Sequence, residues 1–152
     1  METKTPHERL SNDLKTAMKA RDAERMATLR MAISAMSYRR IERNAELTVD
    51  EQEDVLRKQV KQRDDAITEY TKAKRADLAD KEGRERVILM EYLPPELSEA
   101  ELRRQVDELL KPLGPQVKFG DAMKVVMPAL QKKANGKAIG EAVKAALAAR
   151  AS

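Results

Sequence analysis

Binding of phosphate is the one chemistry that this chain concentrates in a single place. Gln131-Lys132-Lys133-Ala134-Asn135-Gly136-Lys137 sets three lysines around an Asn-Gly pair with no acid among them. A turn between two short helices needs one or two special residues, so folding does not account for that much charge. Ammonium groups neutralise phosphates, and N–H groups at a helix start favour anions. Lys132, Lys133, Asn135 and Lys137 are therefore the candidate nucleic-acid-binding residues, with Lys124 and Lys144 as flanking candidates. Asn135 is expected either to cap the last helix or to reach the backbone.

The remaining reactive residues do not assemble into a site. His7 is the sole histidine and falls in the first turn of a helix. A triad or a zinc site would need partners the chain lacks. Asp50, Glu51, Glu53 and Asp54 could hold a hard cation, but acids in a first helical turn also answer the macrodipole. Asp64, Asp65 and Glu69 alternate with Arg63 and Lys72 and read as a solvated face. The five glycines form no phosphate loop, and no serine lies in GxSxG or Ser-x-x-Lys. The methionines fall on apolar stripes and read as core filler. No catalytic residue, metal ligand or cofactor is expected.

Composition frames these residues. The 152 residues make one average domain or two small ones. Charged residues are 37%, aromatics 3%, and helix formers dominate, so the fold class is all-α. There is no cysteine, which suits a reducing cytoplasm. The longest large-apolar run, Val87-Ile88-Leu89-Met90, is far short of a membrane span, and the first residues carry no apolar signal core. A soluble cytoplasmic protein with no membrane partner is expected. Charge is uneven. Residues 1–93 hold 20 basic and 19 acidic residues, a net of +1, and residues 118–152 hold seven and two, a net of +5. A basic terminal segment points to an anionic partner, although a solvated surface gives the same count.

The elements that must position the lysines follow from caps and periods. Thr5-Pro6-His7-Glu8 forms a capping box, with Leu10, Leu14 and Met18 behind it. Asp22 opens a second helix with the stripe Met26, Leu29, Ile33, Met36. Thr48-Val49-Asp50-Glu51 opens a long helix to about residue 75. Asp77 is placed as the cap of a fourth, with a bend expected at Gly83. Leu93-Pro94-Pro95 ends the helical run and marks the boundary between domains 1–93 and 94–152. Ser98-Glu99-Ala100-Glu101 restarts it as a capping box. Pro112, Gly114 and Pro115 close that helix, and Pro128 predicts a kink or fresh start in the next.

With these words in order, the chain resembles the GatB/YqeY family, in particular its stand-alone YqeY-like members. The likeness rests on Leu10-Ser11-Asn12-Asp13-Leu14-Lys15-Thr16-Ala17-Met18-Lys19, Thr28-Leu29-Arg30-Met31, Lys58-Gln59-Val60-Lys61-Gln62-Arg63, Glu91-Tyr92-Leu93-Pro94 and Leu97-Ser98-Glu99-Ala100-Glu101-Leu102. Residues 98–150 also resemble the tail domain of the B subunit of the tRNA-dependent amidotransferase. There the turn reads lysine, alanine, asparagine, then usually proline; here Lys133-Ala134-Asn135 is followed by Gly136. The resemblance implies a helical N-terminal domain of about four helices followed by a small helical tail domain, and contact with tRNA or another structured RNA.

The resemblance also implies, as an alternative, a carbon–nitrogen ligase label with glutamine as amide donor. This chain shows neither the amidase nucleophile nor the ATP-using cradle, so the label reads as inherited through the shared tail. Three readings stand: a non-catalytic tRNA- or RNA-binding accessory protein, an adaptor for a protein partner in tRNA aminoacylation, and a component of an amidotransferase. Sparse aromatics favour shape and phosphate readout over base stacking.

Overall fold

The computed structural model describes residues 4–151. It is all-α, as expected, with seven helices and no strand among the described residues. They are α1 (Pro6–Ala20), α2 (Ala23–Arg43), α3 (Val49–Lys72), α4 (Ala76–Met90), α5 (Glu99–Leu110), α6 (Phe119–Leu130) and α7 (Gly136–Ala151). The chain divides into two compact units, Met1–Pro94 and Pro95–Ser152. No described helix is long and apolar enough to cross a membrane.

In the first unit, α1 and α3 begin with complete capping boxes at Thr5/Glu8 and Thr48/Glu51. Asp22 caps α2 by accepting from the Arg25 N–H. The core is Leu10, Ala17, Leu29, Ala32, Met36, Leu56, Val60, Leu89 and Tyr92. Three expectations are corrected. Asp77 does not cap α4: Arg75 holds that position without a side-chain bond, and Asp77 lies inside the helix, its carboxylate accepting from the Arg75 guanidinium. The helix runs through Gly83, where one glycine costs about 1 kcal/mol relative to alanine but leaves the hydrogen-bond ladder intact. Arg63, read as solvated, is 4% exposed. Its guanidinium donates to Gln59 Oε1 at 2.9 Å and lies 3.5 Å from Glu85 across α3 and α4. Burial, then the Glu82 charge, pushes the Glu85 carboxyl up from its ordinary range.

In the second unit, α5, α6 and α7 pack around Leu102, Val106, Leu110, Val126, Leu130, Ile139 and Val143. Ser98 caps α5 by accepting from the Glu101 N–H, but the box is only half made. The Glu101 carboxylate is taken instead by Arg104 and Gln105, which hold it down at about 2. Of the kink or fresh start expected at Pro128, the fresh start does not occur, and α6 continues to Leu130. Pro128 sits in the last turn, and the carbonyl it leaves unpaired belongs to solvent-exposed Lys124, where water can serve as donor. At the far end Arg150 donates to the carbonyls of Leu110 and Leu113, at 3.0 and 2.8 Å, and satisfies the open end of α5.

Candidate nucleic-acid interface

The basic turn lies between α6 and α7 and is held mostly by its main chain. The N–H groups of Lys133 and Ala134 both donate to the Leu130 carbonyl, closing the end of α6. Ala134 is buried at 7% exposure and fixes the middle of the turn in the core. The Lys133 carbonyl accepts from the Leu97 N–H at 2.9 Å, tying the turn to the segment before α5. Asn135 Oδ1 accepts from the Ala138 N–H at 2.8 Å and caps α7, the first of the two roles the sequence left open. Ile139, fully buried, anchors the first turn of that helix.

This scaffold leaves Lys132, Lys133 and Lys137 exposed around one rigid corner. Lys133 and Lys137 have no acidic side chain within salt-bridge distance among the described residues. The two flanking candidates are placed differently. Lys124 Nζ is 4.0 Å from Asp121 Oδ1, one turn back on α6. Lys144 lies two turns along α7 from Lys137, with its Nζ 5.7 Å from the centre of the Phe119 ring. Exposed Glu141 falls between Lys137 and Lys144 at helical spacing and interrupts the positive stripe. Glu141 also lines a groove of about 310 Å³ with Leu97, Glu99, Leu102, Arg103 and Ala142.

Gly136 holds the first position of α7 without a positive φ. A Cβ there would meet only Met127 Cε, at an ordinary 3.7 Å. Glycine is therefore not required by the backbone at this position.

The first unit carries a second arginine group, Arg39, Arg40 and Arg43 on α2, but Glu42, Glu46 and Glu51 compensate it. His7 is exposed, and its N–H donates to Gln52 Oε1 at 3.0 Å. It borders a groove of about 420 Å³ whose charged residues, Glu8, Arg40 and Glu46, are of mixed sign. Sequence reasoning missed one feature near the interface, the exposed Phe119 beside Lys144. Its signal was available: the chain's single phenylalanine stands next to Lys118 at a helix start.

The sequence pattern of the family described as Yqey-like protein matches residues 7–147, spanning both units. Curated relatives include proteins named "Altered inheritance of mitochondria protein 41, mitochondrial". The one from Lachancea thermotolerans is 36% identical over 123 residues, covering 77% of this chain and 66% of that protein. The one from Kluyveromyces lactis is 36% identical, covering 68% and 58%, and the one from Candida glabrata 33% identical, covering 68% and 59%. The chain thus spans about six-tenths of the length of these relatives. Their names overturn the cytoplasmic expectation. Its grounds were the lack of cysteine, of a membrane-length apolar run and of an apolar signal core, and the first two fit any reducing aqueous compartment equally well.

Proposed function

The chain belongs to the YqeY-like family, and we propose that it is a non-catalytic RNA-binding accessory protein acting through its basic C-terminal unit. The observation that carries this reading is the lysine corner. Lys132, Lys133 and Lys137 stand exposed on a turn fixed by main-chain bonds, so their charge is presented without a large ordering cost in the backbone. The likeness of residues 98–150 to the amidotransferase tail domain supports tRNA as the RNA. Lys132, Lys133 and Lys137 neutralise phosphates, Asn135 holds the turn, and Lys124 and Lys144 extend the contact.

Binding of tRNA measured against salt tests this. With four phosphate contacts the log–log slope is about −3 to −4. The triple variant K132E/K133E/K137E is expected to lose at least tenfold in affinity, on the order of 1.4 kcal/mol, with a shallower slope. Equal affinity and slope for variant and wild type would sink the reading.

A protein-adaptor reading is favoured by a different observation. Met31, Tyr38 and Ile41 lie along one side of α2 at 52%, 71% and 70% exposure, an apolar stripe left uncovered. It predicts a partner that co-purifies after nuclease treatment and is lost in Y38E/I41E.

A further inference from the structure

Phe119 is the only phenylalanine of the chain and the only aromatic residue of the C-terminal unit. It opens α6 and remains 40% exposed. Aliphatic and methionine side chains make up the core of this unit. An aromatic ring offers more apolar area to a core than any of those residues, so leaving two-fifths of it in water calls for another use. Two exposed lysines accompany it, one in sequence and one in space. Lys118 precedes it in the chain, and Lys144 reaches over from α7 with its ammonium 5.7 Å from the ring centre. At that distance the contact is near the outer limit of a cation–π pair and is readily given up to a phosphate. A part-exposed ring with a displaceable ammonium over its face, and a second lysine next to it in the chain, offers what one nucleotide of a single strand needs, a face for the base and cations for its phosphates.

We infer that Phe119 is a stacking platform for one unpaired nucleobase, with Lys118 and Lys144 holding the phosphates on either side of it. This rests on the RNA-binding reading and narrows its substrate class. The preferred RNA is one that presents an unpaired nucleotide, rather than a continuous duplex recognised by shape alone. The scarcity of aromatics elsewhere confines stacking to this position, so one base is read and the rest of the contact is electrostatic.

The test compares two labelled RNAs of equal length, an unpaired oligoadenylate and a blunt duplex, by fluorescence anisotropy on the full chain. F119A is expected to weaken the unpaired strand roughly ten- to a hundredfold and to leave the duplex unchanged. F119W is expected to keep the affinity. Its indole is the only one in a chain without tryptophan, so its emission is quenched by the unpaired strand and not by the duplex. If both RNAs bind wild type and F119A alike, or the indole emission does not respond, the stacking role falls and the RNA-binding reading stands. If neither RNA nor tRNA binds the wild type, both fall together.

Discussion

Tyr92 shows how much a single side chain carries in the first unit. It is 2% exposed, and its hydroxyl donates to Asp13 Oδ2 at 2.5 Å. The Arg9 guanidinium lies 4.9 Å from its ring centre, and Arg25 pairs with the adjacent Glu91. Burial first, and the bond to Asp13 second, push the phenol up to about 12. A phenol raised above its ordinary value of 10 favours the fold below pH 10, and that contribution is lost as pH climbs from 10 through 12. Y92F should therefore remove the tyrosinate absorbance step near pH 12 and blunt the alkaline loss of stability. At neutral pH it should cost about 1 kcal/mol in urea unfolding, since Asp13 loses its donor. A step that persists in the variant would show that another tyrosine was responsible.

Both partners were visible in the sequence as parts of separate family words, but they lie 79 residues apart, and nothing local announces their meeting. Arg63 was legible in a different way. It follows Leu56 and Val60 at helical spacing on the buried face of α3, and only its charge made it look solvated. The period was the better guide, because Gln59 and Glu85 accompany the guanidinium into the core.

At the scale of elements, the starts of helices were the most readable feature. Thr5, Asp22, Thr48 and Ser98 each accept the N–H three residues on, because a short oxygen-bearing side chain reaches no farther. The start of α4 was misplaced because Arg75 is no capping residue, so the first plausible acid downstream attracted the assignment. Pro128 misled for a related reason: a proline is costly in mid-helix and far less so where few intrahelical bonds remain to be lost. Gly136 gives a test at this scale. The first helical position tolerates proline, because its N–H has no partner within the helix. G136P should stabilise the second unit by about 0.4–1 kcal/mol, chiefly by restricting the unfolded chain. Thermal unfolding of that unit should register a rise of a few degrees, roughly 4–8 °C per kcal/mol for a unit of this size. A fall would mean that the turn needs the freedom of glycine after all.

For the molecule as a whole, two separate cores mean two separate sets of consequences. Leu130 is 2% exposed in the second. L130A should cost about 2–5 kcal/mol. In hydrogen exchange the amides of α5, α6 and α7 should lose protection while those of α1 to α4 keep theirs. Uniform loss along the chain would show that the cores unfold as one. The all-helical character was plain from composition, and the lysine cluster from its lack of acids, whereas the bonds holding that cluster in place join residues that no period connects. One of them has a meaning for descent. The Leu97 N–H reaches the Lys133 carbonyl, main chain to main chain, and neither side chain takes part. Substitutions among the lysines leave that tie untouched. A lineage can therefore rewrite what the corner carries, trading one anionic target for another or for none, while the corner itself stays where it was.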